Sequence, residues 1–499
     1  MHVDVVGIDL GTTGARAVRV DAEGAIVASA SAPYPLLTPE PGWTEQEPEA
    51  WWTAAAATLR EVCSASGAPV ACVGVTGQMH GSVFLDEHGA SLRPALLWND
   101  QRTAREAAAL EAAVGPARLR EITGNPGLTG FQAPKILWLR DREPERFAQL
   151  RHVLLPKDYL RYRLSGAFAT DASDASGTSL LDLRTRAWST EILRALDLAP
   201  ELLPPVYESP DVVASVSDAA AAATGLRAGT PIVAGAGDNA AAAIGSGIVR
   251  AGDALVSLGT SGVLLAHGDV PLIDRTGAVH AFCAAVPGAY HLMGVILSAG
   301  GSLRWARDAL GGDVAFDDLV AEAATVPAGA LGATFLPYLA GERTPHMDPD
   351  ARGAWLGLSL AHGRGHLVRA VLEGVAFGLA DAADAMRALG VDPPVFARTG
   401  SGFTSELWTE IVASVLGRPL RRAADEGPAY GAALLASVGA GAHRSVEAAV
   451  EAFVPRDDKT TMPVARDAAA YGVAHARYRA AYPALRELDD APADPSSRA

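Results

Sequence analysis

Residues 7–14 read Gly7-Ile8-Asp9-Leu10-Gly11-Thr12-Thr13-Gly14, and this stretch decides the fold at the start of the chain. An apolar strand leads into a glycine-flanked turn, and a second strand follows the turn directly. The turn at residues 21–24, Asp-Ala-Glu-Gly, then introduces a third strand. Short apolar runs separated by tight glycine turns are typical of antiparallel hairpins. The pattern therefore predicts an antiparallel meander over residues 3–31.

A second strand-turn-strand segment lies about half a chain further on. It runs from Asp253 to Gly259, turns at residues 260–262 and continues to His267. This segment repeats the plan of the opening hairpin without closely repeating its sequence. Two similar hairpins so far apart indicate that the chain contains two related halves.

Helical stretches and short apolar strands alternate between and after the two hairpins, which is typical of a mixed α/β fold. The pattern predicts strands at 70–76 and 231–234 and helices at 49–64, 103–114, 133–140, 157–164, 302–309 and 366–389. A chain of 499 residues exceeds one ordinary core, which favours two domains. We predict an N-terminal domain at residues 1–248 and a C-terminal domain at 249–485. The Asp-, Pro- and Ser-rich composition predicts a disordered tail at 486–499.

The composition argues against several classes of partner. Lys and Arg number 41 against 57 Asp and Glu, and the formal net charge of −16 opposes binding to nucleic acid or acidic membrane surfaces. The sequence shows neither a leader peptide nor the run of about 20 apolar residues that a spanning helix needs. Its three cysteines lack CxxC spacing, which argues against disulfides and a zinc site. These features predict a soluble, unprocessed cytoplasmic protein.

The two glycine-flanked turns carry the residue types that phosphate binding requires. Glycines let a backbone approach a phosphate closely, and Gly11, Thr12 and Thr13 add N–H groups and two hydroxyls. Gly259 and Thr260 offer the same groups in the second hairpin. One such turn alone is more often an ordinary hairpin turn. Two of them facing each other across a cleft would hold a polyphosphate from both sides.

Asp9 places a carboxylate beside the first turn. A carboxylate next to phosphates is repulsive unless a cation lies between them, so the arrangement implies Mg²⁺. We expect Asp9 to hold the ion through water, because Mg²⁺ dehydrates reluctantly. Arg16 could also reach a phosphate, but an exposed strand arginine is the simpler interpretation.

Asp238 follows an apolar strand and two glycines and begins an alanine-rich helix. The structural interpretation is that Asp238 is the N-cap of this helix, where Asp is favoured. The flanking Gly235 and Gly237 and the nearby second turn favour instead a catalytic carboxylate at a cleft. Such a carboxylate would accept the proton of an attacking hydroxyl. The helix terminus should lower the pKa of Asp238.

Met79 and His80 lie in a loop that follows an apolar strand. Ligands bind at the C-terminal ends of strands in open α/β sheets, and these side chains suit a sugar. A core methionine and a structural histidine explain them equally well. Gly301, Gly400 and Ser401 lie in strand-to-helix turns, where adenine and ribose could approach the backbone, although such turns are common.

Together these segments resemble the FGGY carbohydrate kinases, and within them the xylulokinases, from residue 3 to about residue 482. The matching segments are 7–13, 41–46, 77–81, 97–102, 156–160, 237–240 and 259–262. The resemblance implies two ribonuclease-H-like domains of the actin-type ATPase superfamily with an active-site cleft between them. It also implies a kinase that transfers phosphate from ATP, with Mg²⁺, to D-xylulose.

Residue by residue, the resemblance makes Asp238 the catalytic base and places Asp9 beside the metal and the phosphates. It assigns the sugar pocket to Met79, His80, Asp238 and Asn239, and the nucleotide side to Thr260, Gly301, Gly400 and Ser401. The family usually has three glycines in the last of these turns, and Ser401 should narrow it.

Three alternatives stay open at this point. The first is the same kinase chemistry on another ketopentose or on a pentitol such as arabinitol; glycerol is disfavoured because an Arg-Glu pair would be expected in place of Met79-His80. The second is an actin-type ATPase switch without sugar phosphorylation, although no spare segment could form a peptide-binding domain. The third is a sugar-binding pseudo-enzyme, which the presence of Asp9 and Asp238 disfavours. A homodimer is compatible with the sequence.

Overall fold

The computed structural model describes residues 4–424, 427–455 and 459–489, and two seven-stranded sheets form its framework. Each sheet is covered by helices, which confirms the mixed α/β fold class. Separate clusters of buried apolar side chains stabilise the two halves. The cleft between the halves is where the predicted functional residues lie.

The first sheet contains seven strands, β1 to β7. Their bounds are β1 Asp4–Leu10, β2 Gly14–Val20, β3 Ile26–Pro33, β4 Val70–Gly77, β5 Val212–Ser215, β6 Pro231–Val233 and β7 Ala236–Gly237. The order is β5-β6-β4-β1-β2-β3, and β7 also pairs with β4. Strands β1, β2 and β3 form the antiparallel meander that the sequence predicts, and β4 runs parallel to β1.

The second sheet repeats this arrangement. Its strands are β8 Ala254–Leu258, β9 Gly262–Gly268, β10 His280–Cys283, β11 Tyr290–Ile296, β12 Phe396–Thr399, β13 Leu420–Arg422 and β14 Thr460–Thr461. The order is β10-β11-β9-β8-β12-β13-β14. Strands β8, β9 and β11 are antiparallel, and β12 runs parallel to β8. The two predicted hairpins therefore occupy equivalent places in two sheets of the same plan.

The helices connect and cover the two sheets. Their bounds are α1 Pro48–Ser64, α2 Ala104–Val114, α3 Pro116–Thr123, α4 Gln132–Arg142, α5 Pro144–Gln149, α6 Pro156–Ser165, α7 Ala172–Ala175, α8 Thr190–Ala195, α9 Asp218–Thr224, α10 Asp238–Gly245, α11 Gly300–Gly311, α12 Phe316–Ala324, α13 Arg364–Ala388, α14 Glu406–Leu416, α15 Gly427–Gly439, α16 Val446–Phe453 and α17 Ala468–Asp489. The predicted helices agree with these bounds to within a few residues.

Helix α15 follows β13 of the second sheet along the chain but packs against the first sheet. A Cβ atom at Gly7 would lie 1.9 Å from the carbonyl oxygen of Ala429, and one at Gly74 would lie 1.9 Å from that of Ala432. Gly7 and Gly74 are register partners in β1 and β4. Because neither has a side chain, the helix backbone lies directly on the sheet.

Helix α15 also crosses α10, the helix that begins with Asp238. A Cβ atom at Gly431 would lie 1.9 Å from the carbonyl oxygen of Ala241. Helices α15 and α16 share a buried cluster with β1 and β2 of the first sheet. The sequence assigned both helices to the C-terminal domain, and it contained no indication that they complete the core of the first sheet.

The C-terminal end differs from the prediction. Helix α17 continues to Asp489, so residues 486–489, the start of the predicted disordered tail, are helical. This helix is rich in Ala, Arg and Tyr and packs against the second half. The composition of the residues beyond it predicts a start of the tail that is a few residues too early. The rest of the predicted tail lies outside the described residues. None of the described helices combines the length and apolar character needed to cross a membrane.

Candidate active site

The turn between β1 and β2 is anchored by side chains from behind. The carbonyl oxygen of Gly11 accepts a hydrogen bond from the Tyr34 hydroxyl, and that of Thr12 accepts one from Gln46 Nε2 at 2.8 Å. Trp98 Nε1 donates to the Thr12 hydroxyl oxygen at 3.1 Å. These bonds fix the turn before any ligand arrives.

The front of the same turn is open. Within the described part of the chain, no group accepts a hydrogen bond from the backbone N–H of Thr12 or Thr13. Thr13 is exposed and Gly11 and Thr12 are half-buried. Adjacent free N–H groups in a turn form an anion-binding concavity. The turn therefore offers a site for a phosphate, as its sequence predicts.

Asp9 lies beside this turn at the end of β1. Its Oδ1 atom is buried without a hydrogen-bond partner among the described residues. Burial, and secondly the charge of Asp238, raise the pKa of Asp9 to about 8, against the opposing effect of Arg16. Arg16 is the register partner of Asp9 across the hairpin. Arg16 is exposed, which agrees with the simpler interpretation of this residue from the sequence.

Asp238 is the first residue of α10, and Gly237 occupies the N-cap position. The N-cap interpretation of Asp238 is therefore wrong. Its Oδ1 atom accepts hydrogen bonds from the backbone N–H of Asn239 at 2.7 Å and from Asn239 Nδ2 at 3.0 Å. No described residue forms a hydrogen bond with its Oδ2 atom.

The pKa of Asp238 moves in the direction opposite to the prediction. Burial raises it to about 6, although both hydrogen bonds from Asn239 oppose the shift. Desolvation disfavours the charged form more strongly than the helix terminus and the amide donors favour it. A carboxyl group with this pKa is a better proton acceptor near neutral pH than an ordinary aspartate.

A buried polar chain holds the backbone just before Asp238. The N–H of Gly237 donates to the Ser173 hydroxyl at 3.2 Å, and this hydroxyl donates to Asp171 Oδ2 at 2.5 Å. Lys157 Nζ lies 2.9 Å from Asp171 Oδ1. The segment at 156–160 therefore supports the position of Asp238 from behind and does not reach the cleft itself.

Met79 and His80 lie in a strained loop next to Asp238. His80 has a φ of +67°, and the N–H of Gly81 donates to the carbonyl oxygen of Met79 at 2.8 Å. A left-handed non-glycine residue costs about 1–3 kcal/mol and persists where its surroundings hold it. Here Lys135 Nζ donates to the carbonyl oxygen of His80 at 3.0 Å. Lys135 is buried and was not singled out from the sequence, where its position in a helix carried no signal.

The ring of His80 is oriented and neutral. Its Nδ1 atom lies 2.7 Å from the carbonyl oxygen of Gly177, and the ring stacks on Phe131 with centroids 4.3 Å apart. Because a carbonyl oxygen only accepts, Nδ1 carries the hydrogen and Nε2 is an acceptor. Burial lowers the pKa of His80 to about 3, against the opposing effect of the Gly177 hydrogen bond. The ring can therefore accept a hydrogen bond from a ligand hydroxyl.

Apolar side chains from both halves form one cluster at the base of the cleft. Its members are Met79, Leu128 and Phe131 from the first half and Val263, Phe282, Met293, Val295 and Leu297 from the second. A Cβ atom at Gly237 would lie 2.8 Å from Met79 Cγ. The fold therefore brings Met79, His80, Asp238 and Asn239 together, as the resemblance implies.

The second glycine turn rests on the start of α11. The carbonyl oxygens of Gly259 and Thr260 accept the N–H groups of Gly300 at 2.8 Å and Gly301 at 3.0 Å. A Cβ atom at Gly300 would lie 2.6 Å from the Gly259 oxygen. Gly301 and Thr260 are thus neighbours, as the sequence predicts for residues of one site.

Gly400, which directly follows β12, also lies next to the second glycine turn. It has a φ of +98°, and a Cβ atom there would lie 2.7 Å from the carbonyl oxygen of Leu258, which precedes Gly259. Ser401 is exposed and has no left-handed φ. That its side chain narrows the turn stays a prediction. Both residues line a cavity of about 890 Å³ that Arg422 and Lys459 also line.

Comparison with known proteins shows the family to which the chain belongs. Residues 5–245 match the N-terminal domain of the FGGY family of carbohydrate kinases, and residues 254–440 match its C-terminal domain. The chain belongs to the FGGY family of carbohydrate kinases. This FGGY kinase is 44% identical to the xylulose kinase of Escherichia coli K12 over 88% of its own length and 91% of the relative's.

Other relatives cover the FGGY kinase almost completely. The xylulose kinase of Bacillus subtilis is 37% identical over 98% of each chain. The crystal structure of the xylulose kinase from Rhodospirillum rubrum superposes with a TM-score of 0.91 and 33% identity, covering 97% of this chain and 99% of that one. The two-domain fold is therefore that of the FGGY kinases, and the chain is a sugar kinase that uses ATP.

Proposed function

We propose that this kinase transfers the terminal phosphate of ATP to D-xylulose, giving ADP and D-xylulose 5-phosphate. The observation that carries the proposal is the position of Asp238. The residue before it, Gly237, packs against Met79, and burial raises the pKa of Asp238 to about 6. The relatives that are named xylulose kinases support the choice of sugar. The predicted cytoplasmic location suits a kinase of small metabolites. Cys63, Cys72 and Cys283 are free thiols, which is compatible with a reducing compartment.

Asp238 would orient the terminal hydroxyl of the sugar and accept its proton as the hydroxyl oxygen attacks phosphorus. Hydrogen bonds from Asn239 hold one carboxyl oxygen, which would leave the other for the substrate. Such positioning, together with electrostatic stabilisation, supplies most of the catalysis in phosphoryl transfer. Apolar side chains from both halves would keep water away from the reacting groups.

The residues around Asp9 fit a divalent cation, which we propose is Mg²⁺. Asp9 Oδ1 is buried without a hydrogen-bond partner among the described residues, and the neighbouring Asp238 charge raises its pKa. A cation beside this carboxylate would offset both effects. Bound there through water, Mg²⁺ would neutralise charge on the phosphates.

The nucleotide would lie between the two glycine turns. We assign the phosphates to Gly11, Thr12 and Thr13 on one side and to Gly259 and Thr260 on the other. Gly301, Gly400 and Ser401 would then contact the rest of the nucleotide from the second half. The contacts of Gly259 and Thr260 with the N–H groups of Gly300 and Gly301, and of Gly400 with the segment before Gly259, support this assignment.

The test is ADP release by the purified protein with Mg·ATP and a panel of pentuloses, pentitols and glycerol. We expect D-xylulose to give the highest kcat/KM. Stimulation by another sugar and not by D-xylulose would reject the specificity. Failure of every sugar to stimulate would favour an ATPase switch of the same superfamily.

The pKa of Asp238 predicts the acid limb of the activity profile. Below a pKa of about 6 the carboxylate becomes protonated and cannot accept the proton of the sugar hydroxyl. At saturating Mg·ATP, kcat/KM for the sugar should be constant above this pH and fall about tenfold per pH unit below it. A profile that stays flat to pH 5 would contradict the assignment.

A further inference from the structure

The segment Glu342-Arg343-Thr344 of the second half lies against β11. The N–H of Thr344 donates to the carbonyl oxygen of Val295 at 2.9 Å, and the Thr344 hydroxyl accepts the N–H of Val295 at 2.9 Å. Glu342 Oε1 accepts the backbone N–H groups of Arg343 at 2.7 Å and Leu297 at 3.1 Å. These bonds fix the backbone on both sides of Arg343.

The guanidinium group of Arg343 is enclosed and unpaired. No described residue forms a hydrogen bond or an ion pair with it, and the residue is half-buried. Burial lowers the pKa of Arg343, and the neighbouring Glu342 opposes this shift through its charge alone. The buried arginines Arg19, Arg102 and Arg161, by contrast, each bind a carboxylate within 2.8 Å. Leaving an enclosed charge unpaired is costly, so residues of this kind are found where a ligand supplies the partner.

Arg343 reaches the same cleft as the proposed sugar residues. Val295, which its neighbour Thr344 binds, packs in the apolar cluster with Met79. After burial, which is the larger cause, the charge of Arg343 contributes to lowering the pKa of both His80 and His280. The charge of Arg343 is therefore close enough to His80 to act on its ring, although the two residues belong to opposite halves of the molecule.

The contacts also give an order along the pocket. Met79 lies against Gly237, the residue before Asp238, since a Cβ atom at Gly237 would be 3.0 Å from Met79 Sδ. His80 follows Met79 and lies farther away, against Gly177 and Phe131. The charge of Arg343 acts on His80 from the second half. A sugar whose terminal hydroxyl lies at Asp238 would extend its other end past His80 towards Arg343.

We infer that Arg343 binds the carbonyl end of the sugar and selects 2-ketoses over the corresponding pentitols. The inference rests on the proposed function. In D-xylulose the end far from the phosphorylated hydroxyl carries the C2 carbonyl and the C1 hydroxyl. The guanidinium group donates hydrogen bonds and accepts none, which suits a carbonyl oxygen that accepts and cannot donate.

His80 complements this arrangement. Its Nε2 atom only accepts, so it can take the hydrogen of a neighbouring sugar hydroxyl while Arg343 donates to the carbonyl oxygen. In a pentitol the C2 oxygen carries a hydrogen that needs an acceptor of its own. A site built from a fixed donor and a fixed acceptor discriminates against a group with the wrong hydrogen-bonding capacity.

The test compares Arg343→Gln with the wild-type protein on D-xylulose, xylitol and D-arabinitol. The two pentitols differ from D-xylulose at C2 alone. We expect KM for D-xylulose to rise roughly 10- to 100-fold, as for the loss of a charged hydrogen bond. KM for ATP should be unchanged, and the preference for D-xylulose over both pentitols should fall. Arg343→Lys, which keeps the charge but not the planar fork, should recover part of the loss.

Thermal stability separates this role from a structural one. Arg343→Gln removes no hydrogen bond within the protein, so Tm should not fall. The matched control is Arg352→Gln, an exposed arginine nine positions further along whose loss should change neither KM nor Tm.

Three results would overturn the inference. They are an unchanged KM for D-xylulose in a folded Arg343→Gln protein, an equal loss on the ketose and both pentitols, and a comparable rise in KM for ATP. If the wild-type protein does not phosphorylate D-xylulose, the proposed function is wrong as well. If it does and the variant behaves like the wild type, the role of Arg343 alone is wrong.

Discussion

Replacement of Asp238 by Asn should lower kcat for sugar phosphorylation by about 10²- to 10⁴-fold, the range that a positioned general base contributes. Asn has the same shape and can still accept hydrogen bonds from Asn239, but its amide cannot take the proton of the attacking hydroxyl. ATP binding should persist, because the residues that we propose bind the nucleotide lie on the glycine turns and not on α10. Steady-state kinetics and calorimetric titration with a non-hydrolysable ATP analogue measure the two effects separately.

The matched control is Asp218→Asn. Asp218 also begins a helix, α9, but its side chain is exposed and remote from the cleft. Its replacement should leave both kcat and nucleotide binding unchanged. Full activity of Asp238→Asn would remove the base assignment, and loss of nucleotide binding in that variant would show a role for Asp238 beyond proton transfer.

The second large effect concerns stability and involves no catalytic residue. Gly74→Ala should lower the free energy of unfolding by roughly 3 kcal/mol or more, the upper end of the cost of overpacking. The new Cβ atom would lie 1.9 Å from the Ala432 carbonyl oxygen, which belongs to the backbone of α15. Because that oxygen is part of a helix, the whole helix has to move away from the sheet.

This movement should also reach the active site. Helix α15 crosses α10, so a displaced α15 alters the position of Asp238. We therefore expect Gly74→Ala to lower kcat in whatever fraction of the protein still folds. Denaturant titration followed by tryptophan fluorescence, together with kcat per folded molecule, measures both consequences.

Gly67→Ala is the control for this substitution. A Cβ atom at Gly67 would have no heavy atom within 4 Å, and its φ is not left-handed. The same chemical change should therefore leave stability nearly unaltered. If Gly74→Ala unfolds at the same denaturant concentration as Gly67→Ala, the helix does not lie on the sheet as closely as the structure shows.

Local patterns were sufficient to predict most of the framework. Alternating apolar residues and glycine turns placed both hairpins, because strand pairing across a tight turn depends on a few neighbouring residues. The same reasoning located Asp9, Asp238 and the glycine turns near one cleft. The wrong N-cap interpretation of Asp238 shows its limit, since a shift of one residue at a helix start lies within the uncertainty of sequence patterns.

The properties of the site depended on burial, which a single sequence does not show. The helix terminus predicts a lowered pKa for Asp238, and desolvation raises it to about 6. Lys135 and Ser173 carry no motif, yet they hold His80 and Gly237 in place. Arg343 lies far from His80 along the chain, and its unpaired charge is visible in three dimensions alone.

By itself, the sequence determined the α/β class, the repeated sheet plan and the residue types of a phosphate-transfer site, because these depend on short-range backbone preferences and on side-chain chemistry. Tertiary structure decided which distant residues meet. Glycines in β1 and β4 let α15 return to the first sheet, and this contact supports the helix that carries Asp238. The opening stretch thus has two roles: Asp9 and the turn after it face the cleft, and Gly7 leaves the space in which that returning helix packs.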